Sequence, residues 1–106
     1  MKYVFDIDGT ICETVESNYS ESVPNQKRIK KINDLYEQGH TIIFHTARGM
    51  GRNHNIALIA EQQFYELTEE QLNTWGVKYH ELYLGKPSGD VYIDDKGVKD
   101  ENFFAD

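Results

Sequence analysis

Short runs of β-branched and aromatic residues, each halted by a polar cluster and separated by stretches of helical period, constrain this chain more than any other feature. Tyr3-Val4-Phe5-Asp6-Ile7 is the first run and reads as a buried strand that Gly9 ends. Thr41-Ile42-Ile43-Phe44-His45 is the second, and its near-continuous apolar centre suits a parallel sheet covered on both faces. Glu81-Leu82-Tyr83-Leu84 reads as a third strand, Lys86-Pro87-Ser88-Gly89 as a turn, and Val91-Tyr92-Ile93 as a fourth strand.

Helical segments fill the gaps. Pro24 suits the first turn of a helix bounded by Ser22 or Val23, in which Ile29, Ile32, Leu35 and Tyr36 share one face. Gly39 supplies its left-handed stop. Beyond a flexible junction at Gly49-Met50-Gly51, residues Ile56, Ile59, Ala60 and Phe64 form a second helical face. Thr68-Glu69-Glu70-Gln71 has capping-box form and starts a further short helix that packs Leu72 and Trp75 and stops at Gly76. Residues 11–23 are polar without a period and read as a loop or small flap. The tail forms a short helix or docks Phe103 and Phe104. Strands alternating with helices predict a parallel α/β sheet with right-handed crossovers, whose ligands bind at the carboxyl ends of the strands.

A chain of 106 residues suffices for one compact domain and not for two. Its 11 basic against 18 acidic residues, net charge −7, argue against a nucleic-acid partner. They also argue against a phosphate substrate, unless some of the acids surround a divalent cation. No apolar run approaches the roughly 18 residues of a membrane helix, and Asp6 comes too early for a signal peptide. The single cysteine, Cys12, cannot form an internal disulfide, which points to the cytoplasm. No His spacing suggests a zinc site, and His45 reads as a packed residue of its strand.

Four polar elements fall at strand ends. Asp6 and Asp8, two residues apart, point toward one crevice, where their repulsion calls for a cation or a shared proton. Mg²⁺ suits such hard oxygen ligands, and Gly9 lets the backbone approach a ligand closely. An isolated Asp-x-Asp-Gly-Thr reads equally as a turn or a helix cap. Thr46-Ala47-Arg48 offers a hydroxyl and backbone N–H groups for phosphate oxygens, although a threonine after a strand is commonly an N-cap. Arg48 is placed to contact substrate or to pair with an acid. Lys86 supplies a point charge of the kind phosphoryl transfer needs. Asp94 and Asp95 follow the last predicted strand and repel one another unless a metal relieves them, or else form a solvated turn.

In order, these elements run Asp6-Ile7-Asp8-Gly9-Thr10, Thr46, Lys86, and Asp94-Asp95. That set resembles the haloacid dehalogenase superfamily, over residues 3–96. The resemblance implies a single Rossmann-like, three-layer α/β/α domain with a small central parallel sheet and no cap domain. It implies a Mg²⁺-dependent phosphatase in which Asp6 forms an aspartyl-phosphate, Asp8 moves protons, and Thr46 and Lys86 hold the phosphoryl oxygens. Gly9, Thr10, Ala47 and Arg48 would line the substrate site. Asp6, the backbone carbonyl of Asp8 and Asp94 would hold the metal, with Asp95 ligating through water or orienting the shell. The acid at position 8 favours phosphate chemistry over carbon–halogen cleavage.

The gaps between motifs leave no room for a cap, which implies an open site. With it goes a bulky substrate, a macromolecular one, or closure by a neighbouring subunit, the homo-oligomer being favoured. The wording Thr46-Ala47-Arg48-Gly49-Met50 with Gly85-Lys86-Pro87 is similar to small bacterial phosphatases of capsule polysaccharide biosynthesis, implying a phosphorylated sugar as substrate. A phosphotransferase and a phosphate- or metal-sensing module without turnover remain alternatives. A receiver domain has its paired acids first and its lysine last, the reverse of the order here.

Overall fold

The computed structural model describes residues 1–105. The chain runs through β1 (Lys2–Phe5), β2 (Cys12–Glu13), β3 (Val23–Pro24), α1 (Gln26–Glu37), β4 (Thr41–Thr46), α2 (Ala57–Thr74), β5 (Glu81–Leu84) and α3 (Asp100–Phe103). β1, β4 and β5 form a parallel sheet in the order β1-β4-β5, with Tyr3 opposite Ile42 and Phe44 opposite Leu82. β2 and β3 pair antiparallel, making the predicted flap a two-stranded ribbon beside the sheet.

Both crossovers step in the same direction across the sheet, so crossovers of one hand lay α1 and α2 on the same face. The burial pattern agrees. Phe5, Ile42, Phe44 and Leu82 on the sheet share one core with Ile29 and Ile32 of α1 and Leu72 of α2. The rings of Phe103 and Phe104 close it against Phe5. The alternate residues of the strands are left outside: Val4 is 62% exposed, Tyr83 52%, and Ile43 and His45 are half-buried. The helices therefore form one layer, and the architecture is two layers where the resemblance implied three. A single small α/β domain built on a parallel sheet is what the alternation of elements predicted.

Local chemistry explains the other departures. Pro24 lies in β3, opposite Cys12, where its missing N–H weakens only a short ladder. The cap of α1 is Asn25, whose Oδ1 accepts the Arg28 N–H at 3.2 Å. Thr68 does not start a helix. Its hydroxyl donates to the Phe64 carbonyl one turn back, at 2.8 Å, inside a single 18-residue α2. Gly49-Met50-Gly51 is a packed turn, not a loose junction: Met50 is 2% exposed and Gly49 has φ +75° beneath the Phe64 ring.

The predicted fourth strand does not form. Val91 and Ile93 are 74% and 92% exposed, and the segment spends its polar groups on itself. Tyr92 donates its hydroxyl to the Pro87 carbonyl at 2.6 Å and accepts the Gly89 N–H. Asp94 Oδ1 accepts the N–H groups of Lys96 and Gly97, which closes a turn. The tail does both things expected of it: α3 is a short helix, and it docks. Arg28 Nη1 meets Asp100 Oδ2 at 2.6 Å, and Lys31 Nζ donates to the Phe103 carbonyl.

Candidate active site

Asp6 leaves the carboxyl end of β1 between two anchored neighbours, Phe5 and the fully buried Ile7. The turn that follows is set by Thr10 and Ile11 N–H groups, both donated to the Ile7 carbonyl, and by Gly9 at φ +79°. Arg28 holds the Thr10 carbonyl from α1 at 3.0 Å. Gly9 and Thr10 line a groove of ≈ 430 Å³ with Cys12, Pro24 and Arg28; Asp6 is not part of its wall.

Lys86 stands at the end of β5, its N–H bonded to the Thr46 carbonyl at 3.2 Å. Its ammonium lies 4.3 Å from the centre of the Tyr92 ring. Burial pushes the Asp6 carboxyl above the ordinary aspartate range, and the Lys86 charge and the Ile7 N–H work against that rise. His45, half-buried on the open face of the sheet, is held below the usual imidazole range by burial and by Lys86, while Asp6 pulls it up. Asp6, Lys86 and His45 thus form one electrostatic group on neighbouring strand ends. His45 belongs to the margin of the site, not to the packed interior.

Asp8 faces inward to a different set of partners. Arg48, 1% exposed, gives Nε to Asp8 Oδ2 and Nη2 to Oδ1, each at 3.0 Å. Thr14 donates its hydroxyl to the same Oδ1 at 2.5 Å and also meets Ser22 across the flap. The remaining Arg48 nitrogen, Nη1, reaches Thr68 and Gln71 on α2. Every donor of this buried guanidinium that the site needs to satisfy has an acceptor, as a desolvated charge requires. Arg48 accordingly pairs with an acid and does not line an open substrate site. Thr46 is equally inward: it is 1% exposed and its Oγ1 accepts the Arg48 N–H at 3.1 Å, the capping geometry. Ala47, between them, is half-buried.

Asp94 and Asp95 stand apart, exposed on the loop after β5. The Mg²⁺ implied by the resemblance needs several converging oxygen donors. Among the described residues no group of three or more His, Cys, Asp or Glu is gathered to hold one. The predicted side-chain set of Asp6, Asp94 and Asp95 is therefore not assembled, and the Asp94 carboxylate is held by its own turn. In this arrangement the residues do not fit the ion.

Four contributors escape the sequence reading. Thr14 and Tyr19 belong to the flap, and Tyr19 accepts the Gly49 N–H, lies 5.0 Å from the Arg48 guanidinium and gives its carbonyl to Gln71. Thr68 and Gln71 carried a usable signal: polar residues one turn apart on the face of α2 that also presents Leu72.

No family model matches the chain. No curated protein matches it either. Among solved structures, the chain is similar to an MCSG target from Vibrio cholerae, with TM-score 0.90, 27% identity, and coverage of 98% of this chain and 87% of that one. It is also similar in fold to a chain of the Pnkp1/Rnl/Hen1 complex, with TM-score 0.59 and 22% identity, where it spans 34% of the longer chain. Among the described residues, no helix is long and apolar enough to cross a membrane.

Proposed function

We propose that the chain is a phosphatase of haloacid dehalogenase type that hydrolyses a phosphomonoester through Asp6. The observation that carries this reading is the grouping of Asp6 with Lys86 at the ends of β1 and β5, beside the Thr46 carbonyl that fixes Lys86. A desolvated carboxylate beside an ammonium is a better nucleophile than a hydrated one, and the ammonium is placed to meet the charge of an incoming phosphoryl group.

In the proposed reaction an Asp6 oxygen attacks phosphorus and the ester oxygen leaves with a proton. Water then cleaves the aspartyl-phosphate and returns Asp6 as carboxylate. The resemblance gives the proton transfers to Asp8, whose carboxylate Arg48 and Thr14 hold two residues from Asp6. The wording Thr46-Ala47-Arg48-Gly49-Met50 with Gly85-Lys86-Pro87 supports a phosphorylated sugar or a related glycan precursor as the substrate.

The test is release of inorganic phosphate from a panel of sugar phosphates and p-nitrophenyl phosphate, with Mg²⁺ and with chelator, beside Asp6→Asn. The expected result is release that Asp6→Asn abolishes and an acyl phosphate that hydroxylamine traps. Release that survives in Asp6→Asn would overturn the nucleophile assignment.

A further inference from the structure

β5 is an edge strand, because the sheet order β1-β4-β5 leaves nothing beyond it. Main-chain groups alternate sides along a strand. Thr41 gives its N–H to the Met1 carbonyl, so Ile42, Phe44 and Thr46 face β5. With Ile43 opposite Glu81, the main-chain groups of Glu81 and Tyr83 turn to β4 and those of Leu82 and Leu84 point outward. An unpaired edge of this kind is a template for another strand.

Its flank is shaped. A groove of ≈ 750 Å³ runs along this edge between α2 and β5, walled by Tyr65, Glu69, Tyr79, Glu81 and Tyr83. It shares no residue with the Asp6 site. With Tyr36 and Glu37 the lining holds four tyrosine rings and three carboxylates against one lysine, Lys78, which Glu37 pairs. The surface therefore attracts cations by charge and through the ring faces. Neither Glu69 nor Glu81 has a salt-bridge partner among the described residues. Burial raises the hydroxyls of Tyr65 and Tyr79 above the usual phenol range, and the Glu69 charge adds to both rises.

We propose that the outer edge of β5 takes up an extended peptide with lysine or arginine at alternate positions, which joins the sheet as a further strand. Outward main-chain groups of Leu82 and Leu84 supply the ladder, and the period of two delivers every second side chain to the tyrosine–glutamate wall. A second copy of the chain is the poorer occupant. Pairing two β5 edges would bring two sets of glutamates together on molecules that each carry a net charge of −7.

The experiment measures binding of a fluorescein-labelled peptide alternating lysine and valine to the intact chain at low salt. A glutamate–valine peptide serves as control, and Glu101→Lys as a charge-matched variant away from the groove. The expected result is saturable binding of the lysine peptide alone, weakened about tenfold or more by Glu69→Lys and by Glu81→Lys and little by Glu101→Lys. Leu84→Pro removes one outward N–H and should weaken binding similarly; Glu69→Lys, on the exposed side of a helix, decides the matter should the proline variant not fold. Failure of the lysine peptide to bind, equal binding of the two peptides, or equal weakening by all three lysine variants overturns the proposal. Concentration-dependent self-association that Glu81→Lys strengthens would show that the edge serves a second copy instead, and would overturn it too.

Discussion

Arg48 holds both oxygens of Asp8 in a two-point fork, Nε to Oδ2 and Nη2 to Oδ1, with the guanidinium sealed from solvent. Two carboxylates that stand two residues apart in sequence thus have opposite physical situations. Asp8 is compensated by a buried partner; Asp6 is desolvated and only partly compensated.

For Asp8 the expectation is loss of stability. Asp8→Ala leaves a buried guanidinium without its main partner, which costs about 3–5 kcal/mol. Replacing both members, as in Asp8→Leu with Arg48→Met, should recover much of that loss, because the unpaired charge goes too. Chemical denaturation of the two singles and the double checks this through the coupling energy.

For Asp6 the sign is reversed. Its folded pKa is raised, so the protonated form favours folding, and that benefit is complete below the unfolded value of about 4. It is lost as pH rises through the folded value. Asp6→Asn never ionises, so its melting temperature should match the parent in acid and exceed it at neutral pH. Each 1 kcal/mol recovered reads as about 4–8 °C in a domain of this size. Thermal melts across the pH range test this without reference to activity.

His45 reports the grouping directly. Its NMR titration midpoint should lie below the ordinary value of about 6.5. Lys86→Met should move it up, since a cation that opposes imidazolium is gone. Asp6→Asn should move it further down, since a supporting anion is gone. Shifts of the same sign, or none, would contradict the placement of these three side chains.

Gly49 tests the flap anchor. A Cβ there would lie 2.5 Å from the Phe64 ring at a backbone φ of +75°. Gly49→Ala should cost about 1–3 kcal/mol, read by denaturant melts, from overpacking and left-handed strain together. Phe64→Leu should relieve part of it.

What was legible in the sequence is what short range decides. The Asp6–Gly9 turn, the faces of α1 and the strand at residues 41–46 announce themselves through period and glycine placement. The inward direction of Arg48 was not legible, because its partner lies 40 positions away and its cover comes from a third element, α2. Thr68 shows the same limit: a capping-box pattern yields when the hydroxyl finds the Phe64 carbonyl and a buried guanidinium at once. Val91-Tyr92-Ile93 has the composition of a strand, but composition cannot foresee that the Tyr92 hydroxyl will tie back to Pro87. The one-sided helix layer follows from strand order, which no local pattern encodes.

The register of the sheet also fixes a timetable. Tyr3 waits for Ile42, and Ile43 waits for Glu81, so each strand must idle until about 40 further residues have been made. On a ribosome the sheet can grow only from β1 toward β5, and Lys86 arrives after the last pairing is possible. Asp6 is among the first side chains to be synthesised and among the last to meet its counter-charge. A nascent chain halted before residue 86 would hold the desolvated carboxylate without the ammonium that tempers it, so the carboxyl end of the sheet is finished only when the frame beneath it already stands.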